Sequence, residues 1–589
     1  MIKKLFIVFL IALGTLSAHA QYGIIVNGKD VYIGEYTDAF EGFTQYLVHA
    51  YIHNGDYCQL YDSGTKAAWA NTLNAASVSA FKRQNDRYVC SADGCYDFYI
   101  KLKYGQDELY IGPGSNCDSQ PENPDTPSDP TEDFASAVPD ECEDVMLQAF
   151  YWNSYTDQTY GGTKWSQLKA NAAEISEYFD LVWLPPSCQT NDQMGYLPKV
   201  YSNQNSSWGL RADLKKLIQA LHDGGAKVIA DVVINHAANK SSWIDFMDQD
   251  FGEYGKFSPQ STWITSDDEA KGQGTLGSNA DDGQESNRNY GSARDWDHKN
   301  SNVQAMCKAY LQWLKAYMSY DGYRFDYAGG YHVSHTNDYV SAAKPYFSVM
   351  EYWNGDPSVL KTRIDQAGKN TLTFDFANFY TAFQQGLAKN AYSKLSGSGM
   401  RGKGYSKYAV TFVDNHDTFN RADINNTDCG NSTDGKTSIA NRDLMLQANA
   451  YILSMPGVPC VFYPHWYKYK SEIKAMITAR KSAGIHSESS VEEQSGSGWY
   501  KATVQGKYGK VVLYLGSAAT ELAPTGFKQA IKESKVAIYY TGNGATGVEN
   551  VEGERREARG ESQKVLRDGR LMIRMGDKTY DAQGRVIEN

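Results

Sequence analysis

Residues 321–330, DGYRFDYAGG, read as a short strand running into a glycine-rich turn. Arg324 and Asp326 lie two residues apart, so a strand points both to one face, while Tyr323 and Phe325 point to the other. A guanidinium beside a carboxylate lowers its pKa and keeps it ionised. An ionised carboxylate at the end of a barrel strand is a candidate nucleophile. A purely structural Arg–Asp pair is the competing reading, and the surrounding chain has to decide.

Around this stretch, from Val145 onward, short apolar runs alternate with helical patterns. The runs are VMLQAF, LVWLPP, KVIADVVIN, GYRFD, YFSVME, LTFDF, AVTFVD and PCVFY. Between them lie amphipathic segments such as LRADLKKLIQALHDGG, VQAMCKAYLQWLKAYM, LMLQANAYILS and KSEIKAMITARKSAG. Eight strands alternating with helices predict an α/β fold, a closed (β/α)8 TIM barrel over 141–484, with chemistry at the carboxyl ends of its strands. Residues 237–295, about sixty positions rich in Gly, Asp, Ser and Asn, are too many for a loop and predict a small domain inserted after strand 3.

Four predicted strand ends carry polar clusters: DVVINH (231–236), Arg324 with Asp326, Glu351 before Tyr352 and Trp353, and FVDNHDT with Asn415, His416 and Asp417. Each has a plain reading alone. Asp231 fits a hydrogen-bonded core carboxylate, and a lone His more often satisfies a carbonyl than binds substrate. Convergence on one barrel mouth is harder to explain structurally. Several carboxylates and two His on one rim suit glycoside hydrolysis, which needs a nucleophilic carboxylate and a protonated acid on opposite sides of the bond.

These motifs resemble the α-amylases of glycoside hydrolase family 13, with wording most like the plant and archaeal branches. The resemblance covers roughly 144–540 and includes VMLQAFYW, VWLPPS, MGYLP ahead of the first inter-strand helix, ARDWDH and MPGVPCVFY. It implies a barrel, an insert after strand 3 and a C-terminal β-sandwich. Position by position it implies Asp326 as nucleophile, Glu351 as general acid/base and Asp417 as the third carboxylate. The mechanism so implied is retaining, through a covalent glycosyl-enzyme, with Arg324 keeping Asp326 charged and Glu351 raised enough to start protonated. His236 and His416 resemble hydrogen-bond donors to the sugar at the cleavage point, Tyr196 a stacking platform, and Trp353 a wall of the leaving-group side. Asn235, Asp295 and the Gly330 carbonyl fall on ligand positions of a structural Ca²⁺, with a further ligand expected from Asp281, Asp282 or Glu285; oxygen donors suit that cation. Many relatives carry Lys where Gly329 stands, beside the leaving-group sugar. The resemblance thus implies an endo-acting α-amylase on starch-like α-1,4-glucans and maltooligosaccharides. The rivals are another retaining α-glucan enzyme, of transglycosylase or debranching type, and a non-catalytic glucan binder.

The flanks are read from composition. Residues 1–20 carry Lys3 and Lys4, an apolar run and Ala18-His19-Ala20, a signal-peptide pattern that predicts cleavage near Ala20 and secretion. No apolar run is long enough to span a membrane, and a net charge of −12 disfavours nucleic acid. Residues 21–115 alternate apolar and polar positions between turn residues, which predicts an N-terminal all-β sandwich. Its aromatics (Tyr51, Tyr57, Tyr61, Trp69) suit a starch-binding module, and a plain packing module is the alternative. Residues 116–140 are a linker rich in Pro, Asp, Ser and Thr. Residues 485–547 predict a C-terminal antiparallel β domain. Residues 548–589 end in KVLRDGRLMIRMGDKTYDAQGRVIEN, which resembles the sorting tails of type IX secretion. There are nine Cys; Cys90 and Cys95 flank SADG and are spaced to close a hairpin. A monomer is expected.

Overall fold

The computed structural model describes residues 22–114, 132–419 and 442–544, apart from short interruptions (28–29, 34, 41–42, 63–64, 68–79, 85–86, 103–107, 267, 279–289 and 292), and strand backbones within 562–588. The expected signal peptide, most of the linker, and Asp281, Asp282 and Glu285 lie outside the described residues.

Eight parallel strands close into a barrel in sequence order: β1 Met146–Gln148, β2 Leu181–Leu184, β3 Lys227–Val232, β4 Gly322–Phe325, β5 Phe347–Met350, β6 Leu372–Phe374, β7 Ala409–Phe412 and β8 Val458–Phe462. They coincide with the eight apolar runs of the sequence. β2, β4, β5, β7 and β8 are buried at every position, as strands covered on both faces must be. Tyr323 points out of β4, where its hydroxyl donates to the Leu311 carbonyl of the helix Ser301–Met318.

The helices form where apolar spacing demands them. Arg211–Asp223 buries Leu214, Leu217, Ile218 and Leu221, one stripe of an amphipathic helix. Asn300 caps Ser301–Met318 by accepting from Asn302 N, and Asp356 caps Pro357–Gln366 with proline in its first turn. Two short helices, Trp165–Ala170 and Ala172–Tyr178, stand between β1 and β2. The first inter-strand helices therefore precede MGYLP, which lies between β2 and β3. The expected insert leaves β3 through His236–Ala237, which pairs with Arg294–Asp295.

After the barrel, five antiparallel strands form one sheet rather than the implied sandwich, among the described residues. One face (Tyr500, Val504, Leu513, Ile538) joins the barrel's apolar cluster, so the barrel itself supplies the second layer. Four short antiparallel strands follow within 562–588.

The N-terminal unit has its own core. A six-stranded and a four-stranded sheet, antiparallel throughout, share a cluster that includes Ile24, Val48, Phe98 and Ile111. Cys90 and Cys95 do not pair. Cys90 is a free buried thiol donating to the Ala92 carbonyl, whereas Cys95 belongs to another disulfide. The chain passes from one sheet to the other between them, which turns Cys90 into the core. No helix among the described residues is long and apolar enough to cross a membrane.

Candidate active site

Arg324 organises the barrel mouth. One guanidinium nitrogen donates to Asp231 at 2.8 Å and to Asp326 at 2.6 Å, and the other lies 2.9 Å from Glu351. β3 and β4 are in register with Asp231 beside Arg324. The Asp326 and Glu351 amides extend the ladder by donating to the Val232 and Phe325 carbonyls. The strand ends thus deliver these carboxylates without a free loop. Tyr327, next to Asp326, has φ +47, a left-handed conformation that is costly for a tyrosine. It aims the Tyr327 N–H at Glu351 Oε2, 3.0 Å away.

Burial and charge oppose each other here. Burial pushes Asp231 up to about 7 against the pull of Arg324. Asp326 is also raised, first by burial, with the Arg324 charge and hydrogen bond opposing. The expectation that Arg324 lowers the Asp326 pKa is therefore revised: a guanidinium divided among several carboxylates does not fully offset lost solvation. Arg324 is itself held above its ordinary range by Asp231, Glu351 and Asp326, though burial opposes it.

A second chain of contacts brings in Asp417. Its carboxylate lies 3.2 Å from His416 Nε2. Tyr196 OH is 2.8 Å from that nitrogen and donates to Asp231 Oδ2 at 3.1 Å. Trp183 Nε1 donates to the same oxygen at 3.1 Å. Asp417, His416, Tyr196, Asp231, Arg324, Asp326 and Glu351 thus form one connected polar network. Tyr196, His416 and Trp152 hold their ring planes within 3° of parallel, with centroids 5.3–6.3 Å apart.

His236 touches this network from behind. It is fully buried, with Nε2 2.9 Å from the Tyr196 carbonyl and Nδ1 3.1 Å from the Asn235 amide. The Tyr290 ring covers its face at 4.0 Å, and burial pushes its pKa down to about 4, so it is neutral. Trp353 packs on Phe376 at 4.5 Å and donates to Tyr380 OH.

Asp192 was not singled out in the sequence, yet it builds the loop that carries Tyr196. Its two oxygens accept from four successive amides, Met194, Gly195, Tyr196 and Leu197, at 2.8–3.2 Å. Gly195 sits at φ +107, where a Cβ would come 2.7 Å from the Pro186 carbonyl. An Asp just before a glycine turn is the available signal. Trp152 and Trp183 were also missed, because an aromatic at a strand end reads first as core.

Asn235, Asp295 and Gly330 converge beside the rim. Asn235 Nδ2 donates to Asp295 Oδ1 at 2.9 Å. A Cβ on Gly330 would lie 2.1 Å from Asn235 Oδ1, so that oxygen faces the Gly330 backbone. Asp295 is pushed up to about 7 by burial and by Asp268 and Glu269. An amide oxygen and a carboxylate beside the Gly330 backbone, with Asp268 and Glu269 nearby and sharing Arg294, fit a hard cation.

A family model described as alpha amylase, catalytic domain, matches residues 178–483, just over half the chain. Alpha-amylase 3, chloroplastic, of Arabidopsis thaliana is 28% identical over 372 residues, 59% of this chain and 38% of that protein. The chain therefore spans well under half of that relative. Probable alpha-amylase 2 of the same plant is 28% identical over 399 residues, 64% of this chain and 89% of that protein. The glucan 1,4-alpha-maltotetraohydrolase of Stutzerimonas stutzeri is 27% identical over 441 residues, 69% and 75% of the two chains. Among solved structures, an alpha-amylase from Geobacillus thermoleovorans complexed with acarbose superposes with a TM-score of 0.48 at 15% identity, over 68% of this chain and 98% of that one.

Proposed function

The chain belongs to the alpha-amylase family of glycoside hydrolases, and from that premise we propose that it is a secreted, endo-acting α-amylase cleaving α-1,4-glucosidic bonds of starch-type glucans with retention. The observation that carries the reading is the connected network joining Asp326, Glu351 and Asp417 at the ends of β4, β5 and β7.

In this reading Asp326 attacks the anomeric carbon while Glu351 gives its proton to the departing glycosidic oxygen. The C–O bond to the leaving sugar breaks as the bond to Asp326 forms. Glu351, now a carboxylate, then takes a proton from water, whose oxygen displaces Asp326. Carboxyls held on the two terminal nitrogens of one guanidinium are close neighbours, consistent with the ~5–5.5 Å separation of a retaining pair. Asp417 accepts hydrogen bonds from hydroxyls of the sugar being distorted, Trp152 and Tyr196 form an aromatic wall, and His416 holds both Tyr196 and Asp417. His236 fixes the Tyr196 backbone.

Ca²⁺ is the cation proposed for Asn235 Oδ1, the Asp295 carboxylate and the Gly330 carbonyl. When bound it neutralises buried negative charge and ties the insert to the strand ends carrying His236 and Asp326. The N-terminal module is proposed to bind granular starch. The half-buried Tyr51 and Tyr57 remain candidates, and the exposed Tyr110 beside Tyr99 adds a further aromatic pair. The side chains of Tyr61 and Trp69 lie outside the described residues.

Incubation of the full chain with soluble starch tests the reading. Early products are expected to be mixed maltooligosaccharides whose new reducing ends are α by proton NMR. β-configured ends, or transfer products with no gain in reducing ends, would overturn it.

A further inference from the structure

Behind the catalytic rim, Asp414 at the end of β7 meets His465 in the helix Tyr463–Lys468 that follows β8. Both side chains are fully buried, with Asp414 Oδ2 3.8 Å from His465 Nε2. Neither atom has a hydrogen-bond partner among the described residues. Buried polar atoms are rarely left so. The gap is only about 0.9 Å beyond an ordinary N–H···O distance.

Asn449, on the helix Arg442–Ser454, fixes the imidazole tautomer. Its amide nitrogen donates to the Met445 carbonyl at 2.9 Å, which identifies that end of the side chain as NH2. The same nitrogen lies 3.4 Å from His465 Nδ1, which must then accept. The ring proton is left on Nε2, facing Asp414 Oδ2. Burial pushes His465 down to about 3 and Asp414 up to about 7. The imidazole is therefore neutral, and its N–H meets an acceptor oxygen whether Asp414 is ionised or carries a proton on Oδ1.

From Asp414 the constraint runs into the rim. Thr418 Oγ1 donates to Asp414 Oδ1 and accepts from Asn415 N at 2.9 Å. Asn415 Oδ1 accepts from the Asp417 and Thr418 amides, both at 2.8 Å. The turn that presents Asp417 is thus closed on itself and anchored at Asp414.

We propose that His465 is a positioning residue for Asp417, acting through Asp414 and Thr418. The proposal rests on Asp417 being the third carboxylate of a glycosidase. It identifies a residue outside the substrate site that sets how well the distorted sugar is held.

Steady-state kinetics on a defined maltooligosaccharide test it with His465→Leu alone and combined with Asp417→Asn. In the wild-type background His465→Leu is expected to lower kcat ~10–100-fold with KM within ~2-fold, and in the Asp417→Asn background to cost under ~3-fold. His465→Gln, whose amide can donate to Asp414, is expected to recover most of the loss. Equal losses in both backgrounds, or an unchanged kcat, would overturn the proposal. If His465→Leu does not fold, Thr418→Val cuts the same relay and takes its place. A wild type that cleaves nothing would refute the glycosidase reading instead. Nitrogen NMR on histidine-labelled protein then still applies: an Nε2–H tautomer for His465 is expected, and an Nδ1–H tautomer overturns the proposal.

Discussion

The barrel mouth and the N-terminal module use their interiors differently. In the module, apolar side chains of two sheets fill the core, and Asp97, bonded to exposed His49 at 2.6 Å, is the one buried charged residue among the described ones. At the barrel mouth Arg324, Asp231, Asp326, Glu351 and Asp414 are all buried. Removing charges from water is costly, and it is sustained there by hydrogen bonds and close charged contacts that connect Asp417 to Glu351. The difference teaches where each region can change. The module's interior serves only its stability, leaving its surface to carry any binding. The mouth accepts a stability cost to hold charge in place.

The largest effects should come from the pair assigned to the chemistry. Asp326→Asn and Glu351→Gln are each expected to fall below about a hundredth of wild-type turnover, the least a nucleophile or general acid should contribute. Each change removes a chemical role but little volume, so Tm and glucan affinity should hold. A variant that kept its rate, or lost its fold along with its rate, would undo that assignment.

Metal removal comes next. Exhaustive chelation should lower Tm and activity together, since an ion at ~1,000 times its Kd stabilises the folded state by ~4 kcal/mol. Calorimetry and elemental analysis check this: an unchanged Tm with no metal present would remove the site.

A smaller effect should follow pH. The folded pKa of Asp231, about 7, lies above its unfolded value near 4. The folded state thus binds the proton more tightly, so this group's contribution is full below pH ~4 and is lost as pH rises through about 7. Asp231→Asn should flatten that part of the Tm-versus-pH curve. A parallel curve would mean that Arg324 already holds Asp231 ionised.

The smallest effect on soluble substrate should come from deleting residues 21–115. The rate on maltooligosaccharides should stay within ~2-fold while attack on granules slows, because tethering raises only local concentration. Equal loss on both would make the module a folding aid, and failure of the folded module to co-sediment with granular starch would remove its binding role.

Much of this was legible in the sequence. The eight barrel strands stand out because strands buried on both faces are unbroken apolar runs. Arg324 and Asp326 share a face because strand period is two. Edges were harder. Ser490–Gly496 and Lys528–Lys532 are partly exposed edge strands of the C-terminal sheet, so their apolar signal is weak. Contacts between distant segments were not legible at all. Nothing local shows that Asp231 shares Arg324 with Asp326 and Glu351, that Tyr196 bonds to His416, or that Asp414 faces His465. Such pairs are created by barrel closure.

The Asp192 carboxylate, which gathers four consecutive amides, sets a residue count as well as a shape. Adding or removing one residue between Asp192 and Leu197 would leave an amide outside its reach and rotate Tyr196 away from Asp231. For anyone grafting loops at the barrel mouth, this segment has a fixed length. Diversity belongs in exposed stretches such as 240–243, where the chain is held by fewer such bonds.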